Sequence, residues 1–277
     1  MDSFAPIGYL KTCFASKNGT PRQPTVSSVS KGELKISKTI FNNPEHSVED
    51  LEAFSHVWII FVFHLNSRNG VKAKVKPPRM NGLKTGVFST RSPHRPNPIG
   101  LTLAKLDSIN GDTLNFSGLD IVDGTPVLDI KPYIPSYDTP KVVNPTEPSL
   151  NEETFSDIST VDSTNIDLDI QTAQWITEPP VAEIKVQFTN RALTDISHFK
   201  SNSGDWILKF INSDNLKQAI IDVLKADPRS SYRRQKCSDR LYYFTLDNAH
   251  ITAWFDDTND QVIAEVLRIK PLSMIVK

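Results

Sequence analysis

The sequence is poor in cysteine and has no long apolar run. Cys13 and Cys237 are the only two cysteines in 277 residues, and they lie far apart in the chain. That spacing excludes a disulfide scaffold and a cysteine zinc site, and it fits a reducing compartment. The longest aromatic–aliphatic run is Val57 to Phe63. A membrane-spanning helix needs about 20 apolar residues, so no span is expected. The opening MDSFAPIGYL has no basic region followed by an apolar one, so no secretory signal is expected either. GxSxG, HExxH, the P-loop and CxxC are absent, and no GxGxxG follows a strand-like run. Hydrolase, zincin, nucleoside-triphosphatase and Rossmann readings therefore lack their usual signatures.

Acidic residues are missing from one long stretch. Between Ala53 and Leu106 there is no Asp or Glu, while Arg68, Lys72, Lys74, Lys76, Arg79, Lys84, Arg91, Arg95 and Lys105 all fall there. A second basic group is Arg229, Arg233, Arg234, Lys236 and Arg240. The stretch 141–180 reverses the pattern, with Lys141 as its single base among eight acids. The net charge of −1 thus hides two regions suited to polyphosphate and one that would repel it. For Lys72, Lys74 and Lys76 alone, a solvated hairpin face is an equal alternative.

The chain divides into three regions. Residues 1–140 alternate short strand-like runs with glycine and proline: 5–13, 32–40, 57–65, 84–90, 101–109 and 113–119. Asn110-Gly111 marks a hairpin between the last two. Glu49 to Phe54 reads as a short helix with Asp50 in the capping place. Many short strands without βα alternation predict an antiparallel barrel or sandwich. Residues 141–180 are rich in Ser, Thr, Asn, Asp and Pro and read as an acidic flexible insert or linker, or alternatively a packed acidic lid. Residues 181–277 read as a small α+β domain. A strand at 181–188 precedes a helix opening at Ser213 with Leu216, Ile220, Val223 and Leu224 on one stripe. Strands at 241–246, 251–255 and 262–269 follow.

Two segments carry the densest chemistry. Ser89 to Gly100 contains three prolines in the seven residues 92–98, which forbids a helix or a central strand. It presents Arg91, His94, Arg95 and Asn97 with little entropy left to lose, as a preorganised site requires, or it is a proline-stiffened surface turn. Gly118 to Tyr133 sets Asp120, Asp123 and Asp129 beside apolar residues and tight turns. These carboxylates suit a ribose diol, an amine or a cation, or they cap backbone amides as Asx turns. Calcium loops need denser oxygen spacing. Pro21-Arg-Gln-Pro24 is a further stiff polar turn. His56 and His64 flank the apolar strand 57–63. Asp227 to Arg234, DPRSSYRR, ends a helix with basic residues and a tyrosine, a combination that suits RNA backbone and base stacking or a solvated turn after a C-cap.

Those motifs together, PRQP, FSHVWIIFVFH, KVKPPR, GVFSTRSPHRPNPIG, DIVDGTPVLDIKPY and DPRSSYRR, resemble the TrmO/TsaA-like proteins, which are S-adenosylmethionine-dependent tRNA methyltransferases. The likeness covers nearly all of 1–140 and is looser over 181–277. Ser89 stands where the family pattern has alanine. The resemblance implies a mixed fold, with an N-terminal all-β barrel that binds S-adenosylmethionine and a small α+β C-terminal domain, in a homodimer. It implies methyl transfer to N6 of N6-threonylcarbamoyladenosine next to the tRNA anticodon, in the cytoplasm or the nucleus. By motif position, Pro21, Arg22, Gln23, His64, Arg91, Leu101, Asp120, Ile121, Val122, Asp123 and Gly124 would contact the methyl donor. Asp123, Asp129 and His64 are the candidate bases. Lys76, Arg79, Arg95, Arg229, Arg233 and Arg234 would meet tRNA phosphates, and Tyr232 would stack on a base. No metal is expected. Two other readings remain at this stage. One is a non-catalytic RNA-binding adaptor that kept the barrel. The other is a metal-dependent hydrolase using His46, His56, His64 and His94, although these lack ligand spacing.

Overall fold

The computed structural model describes residues 4–66, 71–80, 82–140, 172–177, 184–201, 203–237, 239–258 and 261–275. Its first half contains β1 (Gly8–Thr12), β2 (Lys31–Lys35), β3 (His56–Val62), β4 (Lys74–Val75), β5 (Thr85–Gly86), β6 (Ile99–Asn110), β7 (Thr113–Ser117) and β8 (Thr125–Pro132). Two short helices come next, α1 (Pro135–Asp138) and α2 (Gln174–Thr177). The second half runs β9 (Lys185–Phe188), α3 (Asn190–Lys200), α4 (Leu216–Lys225), α5 (Ser231–Lys236), β10 (Leu241–Leu246), β11 (Ala249–Asp256) and β12 (Ile263–Pro271).

Six strands close into an antiparallel barrel in the order β1-β2-β7-β6-β3-β8. The period-2 pattern of β3 explains why. Val57, Ile59 and Phe61 point inward and are buried, and the residues between them are half-exposed. They meet Leu10, Leu34, Leu114, Phe116 and Val127 from neighbouring strands to fill the lumen. Asn110 pairs with Thr113 across the expected hairpin, and Gly111 takes φ +59°, which the tight turn requires. Closure leaves no strand edge in the barrel.

The C-terminal unit is a four-stranded sheet, β10-β11-β12-β9, with β9 parallel to β12 and the other pairs antiparallel. α3 and α4 add Ala192, Ile196, Phe199, Leu216, Ile220 and Val223 to its core. Cys13 and Phe14, which follow β1, are buried in this second core. The Asp247 N–H also donates to the Cys13 carbonyl at 2.6 Å. The two units are thus joined by the residues just after β1. Burial pushes the Cys13 thiol up to about 12, so it is inert.

The mixed architecture expected from the sequence is the one observed, and several local expectations are corrected. The 84–90 run is not a full strand: Thr85–Gly86 pairs briefly with Lys74–Val75, then the chain turns through a 3-10 segment, Val87–Ser89. Asp50 does not cap a helix with its side chain. It takes φ 62° before a 3-10 turn, Leu51–Ala53. β8 is a strand where tight turns were expected around Asp129. α3 is a helix the sequence reading passed over. Thr189 caps it by accepting the Ala192 N–H at 3.1 Å. DPRSSYRR is a turn that leads into α5, not a turn alone. Most of the acidic insert, 141–171 and 178–180, lies outside the described residues, but its later part contains α2, where only loop was expected.

Candidate active site

One end of the barrel opens into a cavity of about 690 Å³. Its floor is barrel: Phe61 and Phe63 at the end of β3, Gly100 and Leu101 at the start of β6, and Asp120, Ile121, Val122 and Thr125 on the approach to β8. Gly100 is glycine for a spatial reason. It sits opposite Phe61 in the β3–β6 register, and a Cβ there would overlap the Phe61 ring. The walls come from outside the barrel: Lys17, Thr20 to Arg22, Lys76 to Pro78, Thr90 to Arg95, and Trp175 of α2.

The proline-braced loop is stiffened from within. One nitrogen of Arg95 donates to the carbonyls of Thr90 at 2.7 Å, Val87 at 3.3 Å and Ser92 at 3.4 Å, and its guanidinium lies 5.5 Å from the Phe88 ring centre. Arg95 therefore shapes the loop, and it is not a free phosphate contact as the sequence suggested. Arg91 stays exposed on the cavity side.

The acidic wall resolves among the three aspartates. Asp120 lines the cavity and accepts the Thr102 hydroxyl at 2.7 Å. Burial pushes its carboxyl up to about 6, against the pull of the Thr102 hydrogen bond and the Arg91 charge. Asp123 is outside the lining: its Oδ1 accepts the Thr12 N–H at 2.9 Å and its own N–H donates to Phe14. Asp129 is spent on the Ile130 N–H at 2.9 Å and on Lys131 at 2.9 Å. Both carboxylates cap backbone amides, the alternative to a site role, although the amide that Asp123 accepts is remote in the chain and not part of an Asx turn. Of the two aspartates expected at the methyl donor, Asp120 shares the cavity with Arg91 and Asp123 does not. Gln23 and Gly124 are also outside the lining, while Pro21, Arg22, His64, Leu101, Ile121 and Val122 are in it.

His64 Nδ1 lies 3.2 Å from the Thr125 hydroxyl. Partial burial and Lys17 lower its pKa against a smaller opposing effect of Asp123, which leaves it neutral at neutral pH. His94 is lowered too, by burial, Lys72 and Lys17. The sequence points to Asp120 only as a contact of the methyl donor, whereas the fold makes it the half-buried carboxylate of the cavity. Thr102 alternates inward on β6 and could have been found from that pattern.

The second basic cluster is mostly structural. Arg229 is 4% exposed, forked between Asp227 and Asp257, and stacked 3.8 Å from the Phe255 ring centre. Buried and paired in this way, it is not available to a tRNA phosphate as the sequence suggested, and the two carboxylates offset its desolvation. Arg233 donates to the Leu241 carbonyl, and Arg234 pairs with Asp227 at 3.3 Å and donates to the Pro78 carbonyl at 3.0 Å. Tyr232 is exposed, as a stacking residue requires. Lys76 lines the cavity, and the side chain of Arg79 lies outside what the structure describes. Arg22 reaches across to the same turn and donates to the carbonyls of Asp227, Pro228 and Arg229 at 3.2–3.3 Å. The segment 227–234 thus braces two walls of the cavity, through its first three carbonyls and through Arg234.

A family model described as the tRNA-methyltransferase O N-terminal domain matches residues 9–139. A tRNA (adenine(37)-N6)-methyltransferase of Homo sapiens is 37% identical over 97% of this chain and 89% of its own length. The chain belongs to this methyltransferase family. An Escherichia coli (strain K12) member is 32% identical over 94% of this chain and 96% of its own. A solved structure of TrmO from Pseudomonas aeruginosa superposes with a TM-score of 0.62 at 26% identity, covering 98% of this chain and 99% of that one. Membership favours the methyltransferase over the adaptor reading. Among the described residues no group of three or more His, Cys, Asp or Glu could hold a metal ion, and no helix is long and apolar enough to cross a membrane.

Proposed function

We propose that this chain methylates N6 of N6-threonylcarbamoyladenosine beside the anticodon of tRNA, using S-adenosylmethionine held in the barrel-end cavity, in the cytoplasm and as a homodimer. The observation that carries the reading is the convergence of Arg91 and the half-buried Asp120 on one cavity with an apolar floor. That donor set suits a ligand with a carboxylate, an amine, a ribose and an adenine. Arg91 offers a fork to the carboxylate. Arg22 is committed to the carbonyls of 227–229, so the fork falls to Arg91. Phe61, Leu101 and Ile121 give apolar surface to adenine.

When bound, the methyl donor supplies an electrophilic methyl on a sulfonium. Transfer is then a displacement governed by alignment, which the Arg95-braced loop favours by holding Arg91 still. An adenine N6 that already carries a carbamoyl group is a poor nucleophile, and removing its proton helps. Asp120 suits that task. It faces the cavity, and with its pKa near 6 it is largely ionised at neutral pH while remaining a usable acceptor. His64 is the second candidate, neutral and close to Thr125. Asp123 and Asp129 are occupied elsewhere.

The test is label transfer from methyl-labelled S-adenosylmethionine to tRNA, followed by nucleoside analysis. Label in the threonylcarbamoylated nucleoside, and none in tRNA lacking that group, is the expected result. Label in unmodified adenosine would overturn the substrate assignment. Light scattering of the pure protein at twice the 31.0 kDa chain mass would support the dimer.

A further inference from the structure

α2 has no sequence feature that would make it helical alone. It is four residues long, far below the length at which an isolated helix holds in water. Along 172–177 the residues Thr172, Ala173, Gln174, Ile176 and Thr177 are exposed, and Trp175 alone is half-buried. Trp175 lines the cavity, and α2 packs on the 3-10 turn Pro78–Met80. The segment is therefore held by its tryptophan.

The setting of that indole suits a ligand better than it suits a core. Trp58, by comparison, donates its indole N–H to Asp138 and packs edge-on against Tyr133. The Trp175 indole N–H has no partner among the described residues. Its companions in the wall are Lys76, Pro77 and Pro78, with Arg91 and His94 from the stiff loop. Lys17, Lys76 and Arg91 put positive charge in the lining, and among the described residues no Asp or Glu besides Asp120 joins it. A flat aromatic face beside cations and two prolines is the chemistry that takes an unstacked base with its phosphate.

We propose that Trp175 is the stacking platform for the tRNA purine that enters the cavity, with Lys76 meeting the adjoining phosphate. This rests on the tRNA methyltransferase reading and deepens it by assigning the nucleotide to the wall outside the barrel. The methyl donor's adenine has the same ring chemistry. The apolar barrel floor of Phe61, Leu101 and Ile121 is the surface left for it.

The experiment uses the full chain as wild type, Trp175→Ala and Trp175→Phe. Affinity for threonylcarbamoylated tRNA is measured without methyl donor, affinity for S-adenosylhomocysteine is measured by calorimetry, and KM is measured for both substrates. Trp175→Ala should weaken tRNA binding and raise its KM roughly tenfold, as loss of one base–aromatic stack does. S-adenosylhomocysteine affinity should be unchanged, and Trp175→Phe should recover most of the loss. Intrinsic fluorescence of the wild type should be quenched by tRNA, and that quench should shrink in Trp175→Phe. Because Trp175 sits on an exposed helical turn, the thermal transition should stay within a few degrees. Unchanged tRNA affinity in Trp175→Ala would overturn the proposal, as would a loss confined to S-adenosylhomocysteine, which would assign the indole to the donor. A wild type that transfers no methyl to any tRNA would instead sink the underlying reading.

Discussion

Thr102 donates its hydroxyl hydrogen bond to Asp120 at 2.7 Å, and this joins β6 of the barrel wall to the carboxylate that faces the cavity. The bond favours the ionised form, while burial favours the protonated one, and burial prevails. Thr102→Val removes the donor and leaves the burial. The Asp120 pKa should then rise above about 6. The acidic limb of the methyl-transfer pH profile should move to higher pH, with the rate at alkaline pH nearly kept. An unmoved limb would remove Asp120 from the proton-transfer role.

The same carboxylate lowers stability at neutral pH. Its folded pKa of about 6 lies above the ordinary value of 3.8, so its stabilising contribution is complete below about pH 4 and is lost as pH rises through 6. Asp120→Asn escapes that loss. The variant should be inactive yet more stable than wild type at pH 7.5, by about 1–3 kcal/mol, with the advantage gone near pH 4. Urea unfolding at the two pH values measures this.

Arg229 sits between two aspartates against an aromatic face. Arg229→Ala would leave Asp227 buried without its main partner, and breaking such a pair costs about 3–5 kcal/mol. The expected outcome is a large fall in Tm or loss of soluble protein. Asp257→Asn should be milder, because Asp227 still holds the guanidinium.

Arg95 holds the carbonyls of Val87, Thr90 and Ser92. Arg95→Ala should slacken the loop that carries Arg91. S-adenosylmethionine affinity by calorimetry should fall roughly fivefold, equivalent to about 1 kcal/mol. Salt dependence of tRNA binding should change little, because this arginine is not a free phosphate contact. A large drop in the salt slope would reverse that assignment.

Phe61 is buried and packs edge-on against Phe63 with ring centres 5.0 Å apart, so it cannot swing freely away from Gly100. Gly100→Ala should cost about 1–3 kcal/mol as overpacking. Adding Phe61→Leu should recover part of it in a thermal melt.

The barrel was legible because its strands obey a two-residue period, as Val57, Ile59 and Phe61 do, and because Asn110-Gly111 announces its own turn. The C-terminal strands were legible for the same reason. α3 was not, since Asp195 stands in its buried face beside Ala192, Ile196 and Phe199. That charge interrupts the apolar stripe, and it is made tolerable by Arg268 and the Ile269 N–H from a distant strand together with Arg191 one turn back. In the site, Arg91 and Asp120 were named from their motifs. What could not be read is which aspartate the fold leaves available. Asp123 is taken by an amide of Thr12, more than a hundred residues away, and Arg22 by carbonyls of the C-terminal turn. Trp175 was hidden because it lies in a short stretch without helical or strand periodicity and its partner wall lies about a hundred residues upstream.

The most direct measurement is a crystal structure of the full chain with S-adenosylhomocysteine. The ligand is expected in the barrel-end cavity, its carboxylate on Arg91 and its ribose or amine within hydrogen-bond reach of Asp120. Density for the ligand elsewhere, with that cavity holding only solvent, would contradict the assignment of the site.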